Sequence, residues 1–301
     1  MMRSAMLAVT NRTVTRKLIT DTRAGKAVAH RFVAGNLLSE AVAVAAVLNQ
    51  DGLKVSMDYL GEHVSTATEA TAATESYIDC IEQIGANGLD ANVSVKLTQL
   101  GMGFDDGVAA ANLDRIALAA LGVGTTVTVD MEESEHTEAT ISLYEDAQNA
   151  HGNLGIAIQS YLHRSPDDIE RILPLGGHVR LCKGAYAEPA SIAHQSSAAV
   201  DGAYDHLVSV LMANDDIQPA FATHDDARIE HVLRQANERS EPWEFQMLYG
   251  VRRDRQVELA DMGHAMRVYV PYGEAWYPYL TRRMAERPAN LVFFLRAVVG
   301  K

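Results

Sequence analysis

The sequence predicts a closed (β/α)8 barrel that follows a helical extension at the N-terminus, and two observations support this prediction. Beyond the Asp51-Gly52 turn, eight short apolar runs rich in β-branched residues alternate with longer amphipathic segments. Polar residues gather at the carboxyl ends of these runs, where barrel enzymes place their chemistry. An open doubly wound sheet would also alternate, but eight strands favour the closed barrel.

The elements follow the chain in a regular order. The predicted strands are Lys54–Leu60, Asn92–Leu97, Thr126–Met131, Gly155–Tyr161, His178–Lys183, Gln218–Thr223, Glu244–Tyr249 and Arg267–Val270. Predicted helices between them include Thr137–Ala150, Ser165–Leu173, Ser191–Met212, Asp225–Asn237 and Asp254–Met262, and a last helix begins at Glu274. Residues 1–49 have a helical pattern throughout. We therefore predict a helical extension over residues 1–50 and a barrel domain over residues 51–301.

Composition limits the partners of this chain. The 301 residues are 48% hydrophobic and 22% charged, which is enough for one large core. The net charge of −13 argues against nucleic acid and anionic membranes as bulk partners. The two cysteines, Cys80 and Cys182, are far apart and in no CxxC pattern, which is consistent with a reducing cytoplasm. Charges interrupt residues 1–50, so that stretch lacks the pattern of a signal peptide or a membrane span.

Most of the predicted strands carry polar side chains at their carboxyl ends, which is more than isolated ion pairs inside a barrel would explain. Seven of the eight carboxyl ends carry at least one, and isolated buried charges are unfavourable unless they are paired or bound to a ligand. These residues are Lys96, Asp130, Gln159, Tyr161, Arg180, Lys183, Thr223, His224, Gln246 and Tyr269. We expect them to line one large polar pocket at one mouth of the barrel.

Several chemistries remain open for this pocket. Lys96 and Lys183 are each candidates for a Schiff-base nucleophile, since lysine at a barrel-strand end is a common aldolase arrangement. Asp130, Glu132 and His224 could hold a metal, but no ligand spacing such as HExxH supports one, and we predict none.

Clustered cations point to two anionic ligands. Arg180 and Lys183 follow one strand, and Arg282 and Arg283 are adjacent on the last predicted helix. Adjacent helix positions can straddle one face and hold one anion from two sides. Gly184 lets the backbone approach an extended anionic ligand. We expect a phosphate-bearing cofactor and a carboxylate substrate.

With these residues identified, the sequence resembles the proline dehydrogenase family, of the short monofunctional bacterial type. The matching motifs are YLGEHV (Tyr59–Val64), VSVKL (Val93–Leu97), VTVDMEE (Val127–Glu133), IAIQSY (Ile156–Tyr161), VRLCKGAY (Val179–Tyr186), FATHD (Phe221–Asp225), FQMLYG (Phe245–Gly250) and YVPYGEAWYPYLTRRMAE (Tyr269–Glu286). They occur in order from about Tyr59 to Val298. The resemblance implies a distorted (β/α)8 barrel that uses FAD to oxidise L-proline to Δ1-pyrroline-5-carboxylate.

The resemblance also implies a carboxylate clamp with a gate. Arg282 and Arg283 match the pair that holds the proline carboxylate, and Lys96 matches the lysine that completes the clamp. Glu62 matches an acid that pairs with the first of these arginines when substrate is absent. The last helix would then be a movable lid over the site. Pro288, just beyond it, departs from the family pattern and would end the helix early.

The same resemblance assigns the walls of the pocket and its catalytic groups. Tyr269 matches the ring that packs against the proline carbon where hydroxylation would occur, so it favours proline over hydroxyproline. Tyr186 and Leu248 match further walls. Asp130 and Arg180 match the catalytic polar residues, with Arg180 near the reactive edge of the flavin, where a cation stabilises negative charge on the reduced ring.

The cofactor contacts implied by the resemblance come from four strand ends. Gln159 matches the residue that is hydrogen-bonded to the flavin ring. The other matching positions are Met131, Arg180, Lys183, Gly184, Ala185, Thr223 and His224. The family commonly passes electrons to membrane quinone, which implies a cytoplasmic enzyme in transient contact with the inner face of a membrane. Residues 1–50 would cap the barrel or form a homo-oligomer contact, and the sequence leaves both open.

Two other classes of function are compatible with the residues alone. One is a Schiff-base or metal-dependent lyase on the same barrel, with Lys96 or Lys183 as nucleophile. The other is a non-catalytic sensor that binds an amino acid. The intact set of polar strand ends favours an enzyme over a sensor.

Overall fold

The computed structural model describes residues 29–237 and 239–286, with side chains as far as Thr281. Eight parallel strands form a closed barrel in sequence order, and the last strand pairs with the first. The predicted (β/α)8 barrel is therefore confirmed. Parallel strands need crossover connections, and helices supply them between successive strands.

The elements have the following bounds. The strands are β1 (Lys54–Tyr59), β2 (Ala91–Val95), β3 (Val127–Val129), β4 (Leu154–Gln159), β5 (His178–Cys182), β6 (Gln218–Ala222), β7 (Glu244–Leu248) and β8 (Met266–Tyr272). The α-helices are α1 (Leu38–Gln50), α2 (Ala67–Ala86), α3 (Leu97–Leu100), α4 (Asp106–Val123), α5 (Thr137–His151), α6 (Ser165–Ile172), α7 (Ser197–Met212), α8 (Asp226–Ala236), α9 (Arg253–Asp261) and α10 (Trp276–Glu286).

The two faces of the barrel wall differ in polarity. Along β1 and β2 the register pairs Ser56 with Asn92, Met57 with Val93, and Asp58 with Ser94. Because successive side chains point to opposite faces, the polar pairs share the barrel interior and the apolar pair faces the helices. The main hydrophobic core therefore lies between strands and helices, whereas the interior carries an unusual share of polar groups.

Helix α2 shows how local sequence builds the outer layer. Thr66 and Glu69 form a capping box, in which each side chain accepts a hydrogen bond from the backbone N–H of the other residue. The helix then buries one stripe against the barrel, which includes Tyr77, Ile81 and Ile84. The amphipathic period thus fixes which face covers the strands.

The segment that precedes the first described long helix differs from the prediction. Residues 30–37 form turns and extended links, so the expectation of helix throughout residues 1–49 is wrong for this stretch. Backbone hydrogen bonds join Ala34 to Pro271 and Gly273 to Gly35, which tie the stretch to the end of β8. Helix α1 follows and packs Ala41 and Leu48 into the barrel core. Residues 1–28 lie outside the described part, and the domain boundary at residue 50 stays a prediction.

Two helices begin later than predicted. Helix α7 starts at Ser197 rather than Ser191, because Ser196 caps it by accepting a hydrogen bond from the backbone N–H of Ala199. The loop before it carries part of the functional site. Helix α10 starts at Trp276 rather than Glu274. Within the described ranges, no helix is both long and apolar enough to cross a membrane.

Candidate active site

A cavity of about 730 Å³ opens at the carboxyl ends of the strands. It is lined by the polar strand-end residues that the sequence placed there, as expected for the chemical mouth of a barrel, with the exception of Tyr161. Tyr161 is instead buried in a small cluster with Leu162 and Ala193. Of the predicted site residues, it is lined by Lys96, Asp130, Met131, Gln159, Arg180, Lys183, Gly184, Ala185, Tyr186, Thr223, His224, Leu248 and Tyr269. Its volume is in the range of cofactor and substrate sites in proteins, roughly 300–1,000 Å³.

Asp130 is the centre of a hydrogen-bond cluster at the floor of the cavity. It follows β3, and its Oδ1 accepts hydrogen bonds from Ser94 Oγ at 2.7 Å and from Arg180 Nη1. Its Oδ2 accepts from the Tyr269 hydroxyl at 2.7 Å and from Lys96 Nζ at 3.4 Å. One carboxylate thus orients a lysine, an arginine and a tyrosine from three other strands.

Lys96 joins Asp130 to a second carboxylate, Asp58 on β1. The distance from Lys96 Nζ to Asp58 Oδ1 is 2.8 Å, and Asp58 is fully buried. Burial raises the pKa of Asp58, and Lys96 only partly offsets that effect. Burial acts in the same direction on Asp130, but Lys96 and Arg180 outweigh it and lower its pKa. Burial would lower the pKa of Lys96, yet Asp58 and Asp130 hold it well above its usual range, so Lys96 is an ammonium.

Arg180 reaches across the barrel axis from β5. Its Nη1 donates to Ser94 Oγ at 2.9 Å and to Asp130, and its Nη2 donates to Ser56 Oγ at 3.3 Å. Its Nε donates to Gln246 Oε1 at 2.5 Å. The side chain is almost fully buried and still lines the cavity. Its charge is therefore presented to the cavity in one fixed orientation.

Tyr269 on β8 lies beside this arginine. The Arg180 Cζ atom is 5.3 Å from the centroid of the Tyr269 ring, within cation–π distance. Burial, followed by Asp130, holds the pKa of Tyr269 well above its usual range, so the hydroxyl stays protonated and donates to Asp130. The ring forms one wall of the cavity.

The ends of β4 and β5 form a second part of the site. Gln159 is buried, its Nε2 donates to the Glu132 carbonyl at 2.8 Å, and its Oε1 accepts from the Ala185 N–H at 3.4 Å. Ser165, the first residue of α6, donates its hydroxyl to the Gln159 carbonyl at 2.6 Å. Lys183 pairs with Asp201 and with Asp225, the latter at 2.9 Å.

Gly184 adopts a backbone conformation that few other residues tolerate. Its φ is +117°, and a Cβ atom at this position would lie 2.2 Å from the Tyr161 ring. The glycine therefore lets the chain turn closely over Tyr161 before Ala185 and Tyr186 reach the cavity wall.

His224 is held between the ends of β6 and β7. Its Nε2 accepts a hydrogen bond from the Leu248 N–H at 3.0 Å, and Arg252 Nη1 donates to its carbonyl at 2.9 Å. Because Nε2 is the acceptor, any ring proton of neutral His224 is on Nδ1. Thr223 precedes it, and its hydroxyl accepts from the Asp225 N–H at 3.1 Å.

A family profile described as Proline dehydrogenase matches residues 41–296. The chain belongs to the proline dehydrogenase family. It is 39% identical over 276 residues to Proline dehydrogenase 1 of Bacillus subtilis subsp. natto, an alignment that covers 91% of each chain. It is 35% identical over 279 residues to Proline dehydrogenase of Deinococcus radiodurans, which covers 90% of each chain. The predicted family and the predicted enzyme class are thereby confirmed.

Solved structures agree with this membership in the proline dehydrogenase family. Proline utilization A (PutA) from Bdellovibrio bacteriovorus, inactivated by N-propargylglycine, superposes with a TM-score of 0.82 at 25% identity. That match covers 87% of this chain and 33% of the other. PutA from Bradyrhizobium japonicum superposes with a TM-score of 0.76 at 27% identity, over 95% of this chain and 33% of the other. This chain thus corresponds to about a third of those longer chains.

Part of the proline dehydrogenase prediction falls on residues that are only partly described. The backbone of Arg282 and Arg283 lies in α10, but their side chains are outside the described part, as is Pro288 altogether. Glu62 is half-buried in the loop after β1 and contributes to the raised pKa of Lys96. The predicted clamp and its gate therefore stay predictions.

Sequence reasoning missed Asp58 and Ser94 as site residues, whereas Gln246 was expected to line the pocket and does so. Asp58 was the easier of the two to identify from the sequence, since a lone carboxylate inside the apolar run KVSMDYL needs a cation nearby. Its partner could be named only from the β1–β2 register, which sets Asp58 beside Ser94, two residues before Lys96. The contacts of Gln246 could not be read from the sequence, because Glu244 lies two residues away on β7 but Arg180 comes from β5.

The lyase alternative loses support from the same geometry. A Schiff-base lysine must be neutral to attack a carbonyl, whereas Lys96 is held as an ammonium between two carboxylates. Lys183 also has two carboxylate partners. Among residues 29–237 and 239–281, no three His, Cys, Asp or Glu side chains form a group that could hold a metal.

Proposed function

We propose that this chain oxidises L-proline to Δ1-pyrroline-5-carboxylate with FAD as its cofactor. The observation that carries the proposal is the single cavity at the carboxyl mouth, which brings together the predicted substrate and cofactor positions whose side chains are described, apart from Glu62. Membership in the proline dehydrogenase family implies a flavin-dependent enzyme, and the identity of the flavin as FAD is part of the proposal.

The residues of the cavity fit an extended flavin nucleotide. The cavity has the necessary volume, and Gly184 brings the backbone close to its wall without a Cβ atom. Cationic side chains Lys183 and Arg252 line the same region and suit phosphate groups. The residues that would hold the cofactor are Met131, Gln159, Arg180, Lys183, Gly184, Ala185, Thr223 and His224. When bound, the flavin supplies the acceptor for the hydride that leaves the proline ring carbon next to nitrogen.

The carboxylate of proline would bind at Lys96 and at the arginines of α10. Lys96 presents its ammonium to the cavity, fixed by Asp58 and Asp130. Tyr279 lines the cavity from α10, and positions 282 and 283 follow it by three and four residues, which is the spacing of one helix face. This spacing supports a clamp that closes over the carboxylate.

The clamp also prepares the substrate for oxidation. A zwitterionic amino acid must lose its amine proton before a hydride can leave the neighbouring carbon. Cations on the carboxylate disfavour the ammonium form and fix the ring in one place. In this proposal the Tyr269 ring packs against the proline ring, where a hydroxyl on the substrate would clash with it. Arg180, held by Asp130, keeps a positive charge where negative charge develops during the reaction.

The visible spectrum of the purified protein tests this function. We expect a yellow protein whose flavin absorption bleaches when L-proline is added under anaerobic conditions. Colourless protein that becomes covalently linked to a carbonyl substrate when sodium borohydride is added would identify a Schiff-base lyase instead. Colourless and unreactive protein would identify a sensor, and either result would refute the dehydrogenase.

We further propose a quinone as the electron acceptor, with the enzyme in the cytoplasm and in transient contact with the inner face of the membrane. Residues 1–50 are the candidate segment for a contact with a second copy or for a cap on the barrel. Steady-state assays with a soluble quinone analogue should show proline-dependent reduction. A protein that reduces dyes but no quinone would contradict this acceptor.

A further inference from the structure

A continuous polar chain runs along the barrel axis behind Arg180. It begins at the cavity floor and ends at the amino mouth of the barrel, where a separate pocket of about 160 Å³ lies. The chain passes from Arg180 to Gln246, then to Glu244 and Arg267. The proposed reaction uses only its first member, so the other three need an explanation.

Arg180 is oriented by four of its five N–H groups. Among the described residues, Nη1 uses both of its protons on Ser94 and Asp130, and Nη2 uses one on Ser56. Nε uses its single proton on Gln246 Oε1 at 2.5 Å. The serine hydroxyls can rotate to follow the arginine. Gln246, whose buried amide binds Nε, and Asp130, which binds Nη1, together fix the plane of the guanidinium.

The orientation of the Gln246 amide is itself determined by its two partners. Oxygen and nitrogen of a glutamine amide differ only in what they can bind, so partners decide which way the group faces. Gln246 Nε2 donates to Glu244 Oε1 at 2.7 Å, which turns Oε1 toward Arg180. A flipped amide would set two donors against each other at Arg180 and two acceptors against each other at Glu244.

Glu244 is held in place from the amino mouth. Its two oxygens accept from Arg267 Nε at 2.6 Å and from Arg267 Nη2 at 3.1 Å, a bidentate pair. Arg267 Nη1 donates in turn to the Val55 carbonyl at 2.9 Å. Burial would raise the pKa of Glu244, but Arg267 outweighs it and lowers the pKa. Glu244 therefore remains a carboxylate, an acceptor for the amide, at neutral pH.

We infer that Gln246 and Glu244 are positioning residues for Arg180, so that an ion pair at the amino mouth sets the orientation of a cation at the opposite, chemical mouth. This inference rests on the proposed function, because it assumes that Arg180 lies against the flavin. Gln246 lines the cavity beside Arg180 and Glu244 does not, so an effect of Glu244 on the flavin has to pass through Gln246. Their effect passes through hydrogen bonds that meet at Glu244, which accepts from Arg267 on one side and from Gln246 Nε2 on the other, so that Gln246 Oε1 is left to accept from Arg180.

Sulfite binding to the oxidised holoenzyme gives a readout that is separate from turnover. Sulfite forms a bond to a flavin ring nitrogen and leaves negative charge on the ring, which a nearby cation stabilises. Gln246→Leu releases the Nε side of Arg180, and we expect it to weaken sulfite affinity by about tenfold. We expect kcat to fall by a similar factor, while the KM for proline changes by less than about threefold because the clamp is separate.

A double-mutant cycle then tests the route. Glu244→Gln replaces the fixed acceptor with an amide and should also weaken sulfite affinity. If Glu244 acts through Gln246, the same change in a Gln246→Leu background should have no further effect. The matched control is Glu75→Gln, which alters an exposed ion pair with Arg115 and should leave sulfite affinity unchanged.

The outcomes are distinct. Unchanged sulfite affinity in Gln246→Leu would overturn the inference, as would equal effects of Glu244→Gln in both backgrounds. Should Glu244→Gln fail to fold, the Gln246→Leu measurement alone still decides, since the inference requires its effect. Purified protein without flavin, or without oxidation of proline, would refute the proposed function itself and with it the assumption on which the inference rests.

Discussion

The two mouths of the barrel carry similar charged groups in different surroundings. At the amino mouth, Glu244 and Arg267 face each other as a bidentate pair beside a pocket of about 160 Å³. At the carboxyl mouth, Lys96 and Arg180 meet Asp58 and Asp130 on the floor of a cavity of about 730 Å³. Both sets are largely buried, so burial alone does not separate them.

The difference lies in how completely each set is satisfied. Each Glu244 oxygen accepts a hydrogen bond, and the carboxylate has a lowered pKa. Asp58 has a raised pKa, and its Oδ2 has no hydrogen-bond partner among the described residues. An ion pair whose hydrogen-bonding groups are all satisfied, here called a closed pair, stabilises the fold and orients its neighbours. A charged cluster with an unsatisfied polar atom beside an open cavity is instead suited to bind ligands. Four predictions test this contrast, from the largest expected effect to the smallest.

Removal of one member of the closed pair should have the largest effect on stability. Arg267→Ala leaves Glu244 buried without its counter-charge, and we expect the free energy of unfolding to fall by about 3–5 kcal/mol. Urea denaturation measures this. The double variant Glu244→Leu/Arg267→Met should recover most of the loss, and Arg115→Ala at an exposed pair should lose less than about 1 kcal/mol. A double variant as unstable as the single one would contradict the closed-pair interpretation.

At the carboxyl mouth, by contrast, we expect substitutions to change substrate binding rather than stability. Arg282→Met and Arg283→Met each remove one arm of the proposed clamp, and we expect the KM for proline to rise by about ten- to a hundredfold. This corresponds to about 1.5–3 kcal/mol of lost charge-assisted hydrogen bonding. FAD should remain bound, as its absorption spectrum will show. Arg253→Met, on the exposed surface of α9, is the control and should leave KM unchanged. Wild-type KM in either clamp variant would remove that residue from the clamp.

Tyr269 should control ring selectivity at the same mouth. Tyr269→Ser opens the wall, and we expect the ratio of kcat/KM for hydroxyproline over proline to rise by about tenfold. Tyr269→Phe keeps the ring but loses the hydrogen bond to Asp130, so it should retain the preference for proline. An unchanged ratio in Tyr269→Ser, or a raised one in Tyr269→Phe, would show that ring bulk is not the determinant.

The smallest effect concerns the dependence of stability on pH. Asp58 has a folded-state pKa above its ordinary 3.8, so between these values the folded state binds more protons than the unfolded state. Its contribution to stability therefore decreases as pH rises through that window. Glu244, with a lowered pKa, contributes stability that is lost as pH falls. Asp58→Asn and Glu244→Gln should change the slope of unfolding free energy against pH in opposite directions. Slope changes of the same sign in the two variants would contradict the contrast between the two mouths.

The fold could be predicted from the sequence because each strand is a short, continuous run of residues. All eight runs that form β1 to β8 were predicted, since a short segment of β-branched residues between two turns can be recognised as a strand without knowing which strands it pairs with. The start of α7 was placed too early, at Ser191, because an Ala- and Ser-rich stretch continues a helical pattern without a break. Only the cap contact at Ser196 shows where the helix begins.

The site was predictable only in part for a related physical reason. A polar residue at a strand end points to a shared mouth, which is how Asp130, Arg180 and Tyr269 were found. The orientation chain through Gln246 depends on side chains of β5, β7 and β8 that meet near the barrel axis. Such contacts arise from strand register, and no local pattern in the sequence encodes them.

The close turn at Gly184 has a consequence for protein engineering. A library that adapts this pocket to larger cyclic amines would aim at the cavity wall, where Leu248 and Tyr269 have side chains to exchange. Gly184 should be left constant, because any side chain there would collide with Tyr161 and require a left-handed backbone. Randomising that codon would fill the library with inactive clones, whereas fixing it concentrates diversity where new substrates are selected.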